Sequence, residues 1–224
     1  YLIKEVRIVD ENENLNKGGE MGFKRLKTQA ILFIVLLSGS VFARVITVKP
    51  GNSINDAIGS AAGRDTVIVD DGRYYESVEI DKSITLQAKN GGKAIIDGGV
   101  NKQFTWSGGG GSWSADVGYT PRLIIVRNRC VFNLSFMSER LSGGVAIRIG
   151  GGLDPNNEIV SVNRKDAKTG VLVTAPDVRI EGFQIRCFPY YGIRVMGEAD
   201  NCSIHDNFII GSHRGIWLGS ERER

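Results

Sequence analysis

Cysteine is scarce in this chain. Cys130, Cys187 and Cys202 are its three copies among 224 residues, an odd set without CxxC spacing that argues against a disulfide framework and a zinc site and reads as small buried residues. Proline is held to five residues and aromatic residues to 8%. A surplus of charge is missing too: 28 basic residues face 25 acidic ones, a formal +3, and the basic residues are scattered, which speaks against a nucleic-acid-binding role. No apolar run approaches the ~20 residues that a membrane-spanning helix requires, the longest candidate being Ala30 to Leu37. Glycine is abundant instead, at 29 residues, nearly twice the ~7% of ordinary proteins, and this points to many tight turns between short strands. An apolar fraction of 42% provides for one sizeable core.

The short apolar run has a specific setting. Lys24, Arg25 and Lys27 precede it, and Val41-Phe42-Ala43 closes it with small residues at the two positions that define a cleavage point. This is the form of a secretory signal peptide over residues 21–43, cleaved after Ala43, and it implies a secreted or periplasmic protein. No cysteine follows the run, so a lipoprotein anchor is not expected. Residues 1–20 precede Met21 and would bury the signal in mid-sequence. They read as upstream read-through, with Lys17-Gly18-Gly19-Glu20 as a translated purine-rich ribosome-binding site that points to a prokaryote. Residues 44–224 then form one domain, expected to be truncated at Glu221-Arg222-Glu223-Arg224, where no closing element follows.

After Arg44 comes a strand, Val45 to Val48, a Pro50-Gly51 turn and a short amphipathic helix. Ser53 can cap that helix with Asp56 three residues on, and Ile54, Ala57, Ile58 and Ala61 fall on one face. Short β-rich pieces follow at Thr66 to Val69, Ser77 to Ile80, Ile84 to Leu86 and Ala94 to Ile96, separated by turn residues. Farther along, the chain repeats itself. Val178-Arg179-Ile180 returns as Cys202-Ser203-Ile204, Phe183-Gln184-Ile185 as Phe208-Ile209-Ile210, and Gly192-Ile193-Arg194-Val195 as Gly215-Ile216-Trp217-Leu218. The offsets are 24, 25 and 23 residues. Gly144 to Ile147 and Gly170 to Val173 look like further copies of the glycine-led strand. A period of this length with short strands suits a parallel β-helix, in which each coil buries its inward residues against the coils above and below. Leucine-rich repeats share the period but need a Leu/Asn lattice that this chain lacks. From about residue 100 to 168 the period is interrupted by Trp106, the run Gly108 to Gly111, Trp113, Tyr119-Thr120-Pro121 and Leu153 to Asn157, which reads as loops inserted between coils.

The run from Ile46 to Val48 through Ser53 to Ile58, Gly63 to Val69, Gly72-Arg73-Tyr74 and Lys82 to Leu86 to Ile95-Ile96-Asp97-Gly98 resembles the opening of right-handed parallel β-helix proteins of the pectin lyase-like superfamily. The later Gly-Phe-x-Ile and Gly-Ile-x-Val pieces resemble its coils. The resemblance implies an all-β right-handed solenoid with a helix capping its N-terminal end. It also implies a carbohydrate-active protein, a polysaccharide lyase or glycosidase acting on acidic polysaccharide; a non-catalytic glycan-binding, surface or periplasmic β-helix is the alternative.

Either chemistry needs its residues on adjacent coils. A lyase acting beside a uronate carboxylate needs a base and a cation, and a glycosidase needs two carboxyl groups. Glu181 aligns with His205, and Asp206 follows at a turn, so these three are the candidate acid-base residues. Ile193 and Val195 are expected to point inward, with Ile216 and Leu218 beneath them, which turns Arg194 and Trp217 outward on neighbouring coils as an Arg-aromatic platform for an acidic sugar. Tyr190 and Tyr191 in a loop and the basic pair His213-Arg214 in a turn are candidate substrate contacts. Asp97 is expected to cap a turn, and Glu76 and Asp70-Asp71 are read as ordinary turn residues. No metal site is assigned and the cofactor is unknown. The nearest approach to a calcium site is the oxygen-rich Asp154-Pro155-Asn156-Asn157, which lacks EF-hand spacing and reads as a turn.

Overall fold

A computed structural model describes residues 42–100, 103–119, 121–127, 129–130, 144–148 and 154–219. The expected upstream segment, nearly all of the expected signal peptide and the last residues, 220–224, lie outside them. The fold is that of the unit Ala43–Arg224.

Strand β1 (Val45–Val48) and helix α1 (Ile54–Ser60) open a parallel β-solenoid. The next coil is β2 (Thr66–Val69), β3 (Gly72–Tyr74) and β4 (Val78–Ile80), and it is followed by β5 (Thr85–Ala88) and β6 (Ala94–Asp97). An insertion then leaves the stack. It carries β7 (Ser107–Gly109), β8 (Ser112–Asp116), β9 (Ile124–Val126), β10 (Arg129–Cys130), β11 (Gly144–Arg148), a 3-10 turn (Pro155–Asn157) and β12 (Val160–Val162). The winding resumes with β13 (Thr169–Val173), β14 (Arg179–Glu181), β15 (Gln184–Arg186) and β16 (Tyr191–Val195). It continues through β17 (Ser203–His205), β18 (Phe208–Ile210) and β19 (Arg214–Leu218). The coils stack into three parallel sheets: β1-β2-β5-β14-β17, β3-β6-β15-β18 and β4-β13-β16-β19. All-β architecture and coil stacking are therefore as the repeat implies.

Parallel pairing places like on like. In the first sheet Ile46, Val67, Leu86, Ile180 and Ile204 stand in register. In the second Tyr74, Ile96, Ile185 and Ile209 do the same, and in the third Ile80, Val173, Val195 and Leu218. Most interior members of these columns are fully buried and belong to one core, each contributing roughly 1.5–3 kcal/mol by leaving water. Ile216 and Leu218 hold the expected register but are 49% and 71% exposed, because among the described residues no strand stacks beyond β19.

Three expectations are corrected. The second repeat offset is 24 residues, since Gln184 pairs with Phe208 and Ile185 with Ile209; Phe183 is buried while Phe208 is exposed, so the two phenylalanines are not equivalent. Gly144–Arg148 is no coil strand but pairs antiparallel with β8. The glycine run forms a hairpin between β7 and β8 instead of a plain loop. The true copies are led by Gly170, Gly192 and Gly215. At Gly192 the reason for glycine is room: a Cβ there would sit 2.4 Å from Ile209 and 2.6 Å from the Gly215 carbonyl.

Corners repeat as strictly as strands. Asp177 and Asn201, Gly182 and Asp206, and Cys187 and Gly211 all have φ between 55° and 80°, and the members of each pair occupy equivalent places on successive coils. Left-handed backbone of this kind favours Gly, Asn and Asp, which gives Asp206 a conformational reason to stand where Gly182 stands one coil earlier. Asn207 braces the same corner, its amide donating to the carbonyls of Ile180 and His205 and its oxygen accepting from the Phe183 N–H.

Helix α1 closes one end of the stack as expected. The Ser53 hydroxyl accepts from the Asp56 N–H at 3.2 Å, and Ile54 and Ile58 are buried. Glu76, read from sequence as a plain turn residue, is instead a second cap. Its carboxylate accepts from the Ile54 N–H at 2.8 Å and from the Ser53 hydroxyl at 2.9 Å. At the other end the Lys82 ammonium donates to the carbonyls of Ile58, Gly59 and Ala61. One coil thus meets both orphaned helix ends with the sign of charge each favours.

Asp65 secures the join beneath the helix. Its carboxylate accepts from the backbone N–H groups of Ala62 and Arg44, both at 2.8 Å, and pairs with the Arg44 guanidinium. The Ala62 N–H, then the Arg44 N–H, hold its pKa down to about 2. An unfolded aspartate titrates near ~3.9, so the stabilisation from this carboxylate is complete above that pH and is lost as pH falls toward 2. The urea midpoint of the wild type should therefore drop more steeply between pH 4 and pH 2 than that of Asp65→Asn, and parallel profiles would remove Asp65 from the acid transition.

Candidate functional site

On the first sheet Ile180 and Ile204 face inward, which turns their neighbours out. Glu181 and His205 are register partners, and the His205 Nε2 lies 2.8 Å from the Glu181 carboxylate. The other ring nitrogen, Nδ1, is 2.9 Å from Asp206. Arg179 donates through Nε to Glu181 at 2.8 Å. The three candidate acid-base residues are thus brought together, in a chain running Arg179, Glu181, His205, Asp206. Both imidazole nitrogens are engaged by carboxylates, so neither is turned toward an incoming substrate in this arrangement.

On the third sheet Arg194 and Trp217 are register partners, and the guanidinium lies 5.2 Å from the Trp217 ring. Tyr191 joins them. Its ring is 5.3 Å from the Arg194 guanidinium, 5.4 Å from that of Arg214 and 5.7 Å from the Trp217 ring, and its hydroxyl accepts from Arg214 at 2.8 Å. Tyr191 is the first residue of β16 and is buried, so it is not the exposed loop aromatic expected from sequence. Arg214 likewise begins β19 instead of lying in the turn. Tyr190 packs under Arg122 of the insertion at 5.2 Å, and His213 is exposed at the corner. The platform exists, and it is on a different sheet from Glu181, His205 and Asp206: the two candidate sets do not converge on one site.

The second sheet holds what sequence reading missed. Asp97, Arg186 and Ile210 form an outward column, yet all three are buried, because the insertion folds back over them. Leu123 and Ile125 pack on Cys187 and Ile210, and Asn163 accepts from the N–H groups of Arg122 and Leu123. Asp97 therefore does more than cap a turn. It accepts from the Gly99 N–H at 2.7 Å and forms ion pairs with Arg186 at 3.4 Å and Arg73 at 3.5 Å. The Ser161 hydroxyl bridges, donating to Asp97 at 3.3 Å and accepting from Arg186 at 3.1 Å. Burial pushes the Arg186 guanidinium below its ordinary pKa, the Asp97 charge working against that shift.

Beside this network a cleft of about 450 Å³ opens between the coil and the insertion. Arg73 and Tyr75 line it from the coil, Gln103 and Phe104 from the outgoing leg of the insertion, and Asn156 and Glu158 from the returning leg. The two legs are tied together: the Asn156 side chain accepts from the Trp106 N–H and donates to the Trp106 carbonyl, each at 2.8 Å. Glu158 is paired with Arg127. Asp154 spends its carboxylate on the N–H and amide of Asn156, as an Asx-type turn residue does. Among the described residues no group of three or more His, Cys, Asp or Glu is placed to hold a metal ion, and no helix is long and apolar enough to cross a membrane.

No family model matches the chain, and no curated protein matches it. Among solved structures, one described as the complex of XylC with xylose aligns with 75% of this chain and 40% of that one, at 16% identity and a TM-score of 0.48. The chain thus spans less than half the length of that protein.

Proposed function

We propose that this chain is an exported, carbohydrate-active β-helix protein whose ligand is an acidic polysaccharide, cleaved by lyase or glycosidase chemistry, in keeping with its resemblance to the pectin lyase-like superfamily. The observation that carries the reading is the cluster of Tyr191, Arg194, Arg214 and Trp217 on the third sheet. Aromatic faces pack against sugar rings, and guanidinium groups recognise carboxylates bidentately. Two such cations beside the Trp217 ring, packed over the buried Tyr191, form a surface matched to a uronate unit. With the acid-base set Glu181, His205 and Asp206 on another sheet, the platform comes first in the test. Trp217→Ala is expected to weaken binding of polygalacturonate about tenfold, a loss of about 1.4 kcal/mol, as read by calorimetry on the folded protein. Wild-type incubation with the same polymer is expected to release unsaturated, ultraviolet-absorbing products or new reducing ends. Failure to bind any uronic-acid polymer would overturn the reading.

A second reading, glycan binding without cleavage, is favoured by one observation: both nitrogens of His205 are already engaged by carboxylates. It expects binding with neither unsaturated products nor reducing ends.

A further inference from the structure

We propose that the cleft between the insertion and the second sheet is a saccharide subsite for a uronic-acid residue, in which Arg73 recognises the carboxylate and the rings of Tyr75 and Phe104 hold the sugar. The inference rests on the acidic-polysaccharide reading above and moves the recognition step to residues which that reading does not use.

Size is the first argument. A volume of about 450 Å³ falls within the ~300–1,000 Å³ of small-ligand sites. Composition is the second. Tyr75 and Phe104 are half-buried and line the cleft, one from the coil and one from the insertion. The neighbouring Trp106 is 4% exposed and its backbone is held by Asn156, so the Phe104 ring rests on a buried one, the two 6.4 Å apart edge to face.

Charge is the third. Of the lining residues Arg73 and Glu158 carry charge; Glu158 pairs with Arg127, and the buried Asp97 pairs with both Arg186 and Arg73, so three guanidiniums share two carboxylates. Burial, not distance, separates the two cations that share Asp97: Arg186, at 3.4 Å, is 3% exposed and also bonds the Ser161 hydroxyl, whereas Arg73, at 3.5 Å, is the one that lines the cleft. Its contacts to Asp97 and to the Tyr75 hydroxyl are each 3.5 Å, and its side chain is 23% exposed at the cleft wall. The guanidinium also lies 5.9 Å from the Tyr75 ring, so cation and ring face are presented together. A guanidinium has five N–H donors in a fork that fits a carboxylate, and Arg73 can receive one without giving up Asp97.

The test uses calorimetric titration of the full chain with trigalacturonate and with its methyl ester, in which the carboxylates are masked. The free acid is expected to bind at least tenfold more tightly than the ester, and Arg73→Gln and Phe104→Ala are each expected to weaken it at least tenfold. Should Arg73→Gln fail to fold by circular dichroism, Phe104→Ala decides, because that ring stands outside the Asp97 ion network. If the free acid binds, both cleft variants bind it like the wild type and Trp217→Ala weakens it about tenfold, the cleft assignment is overturned while the proposed function stands. Equal binding of acid and ester overturns the role of Arg73. If no uronate binds at all, both fall together.

Discussion

Asp97→Ala is expected to cost about 3–5 kcal/mol of folding stability, the range for removing one partner of a buried ion pair. Asp97 is fully buried and Arg186 is 3% exposed. Without the carboxylate, the buried Arg186 guanidinium loses this counter-charge while still facing the Arg73 guanidinium, and the Gly99 N–H loses its acceptor. Total stability of a domain is only ~5–15 kcal/mol, so the urea midpoint should move by a large fraction of its wild-type value. The cost arises from stranding a charge, not from the worth of the pair. Asp97→Leu combined with Arg186→Met should therefore recover much of the loss, because replacing both partners removes the unpaired charge. A loss below ~1 kcal/mol for the single change would be the signature of a solvated surface pair; it would mean that the insertion does not cover the second sheet.

The other large effect lies in the first sheet. Ile180→Ala should cost about 2–5 kcal/mol, the range for truncating a buried aliphatic side chain and leaving a cavity, because Ile180 is fully buried between Leu86 and Ile204 in the stacked column. Its neighbour Arg179, turned outward on the same strand and ion-paired with Glu181 at the surface, should lose no more than about 1 kcal/mol on change to Ala. Urea titration of the two variants side by side checks the alternation of β14 directly. Equal losses would mean that Ile180 has no coil above and below it.

The candidate residues divide by how far their partners lie along the chain. Glu181 with His205, and Arg194 with Trp217, were legible because each pair is one coil apart and parallel register stacks equivalent positions. Tyr191 was half legible: its neighbourhood was correct, but its burial depends on Arg194, Arg214 and Trp217 closing over it. Arg73, Tyr75, Phe104 and Glu158 were not legible as a set. Alternation about the inward Tyr74 could have turned Arg73 and Tyr75 outward, yet no local pattern says that Phe104 and Glu158, from two legs of an insertion, come to face them. Glu76 escaped for the same reason, its partners Ser53 and Ile54 being a full coil away.

Sequence alone determined the winding: apolar side chains at alternate places, recurring every two dozen residues, can leave water only by stacking coil on coil, and Ser53 with Ile54 and Ile58 determined the helix that closes one end. Tertiary structure alone decided which outward residues remain outward. An insertion's own periodicity describes its strands but not the surface on which it will lie. By settling on the second sheet it turned Asp97 and Arg186 from surface positions into a buried ion pair, and it left beside them a wall, Arg73 and Tyr75, that still faces water.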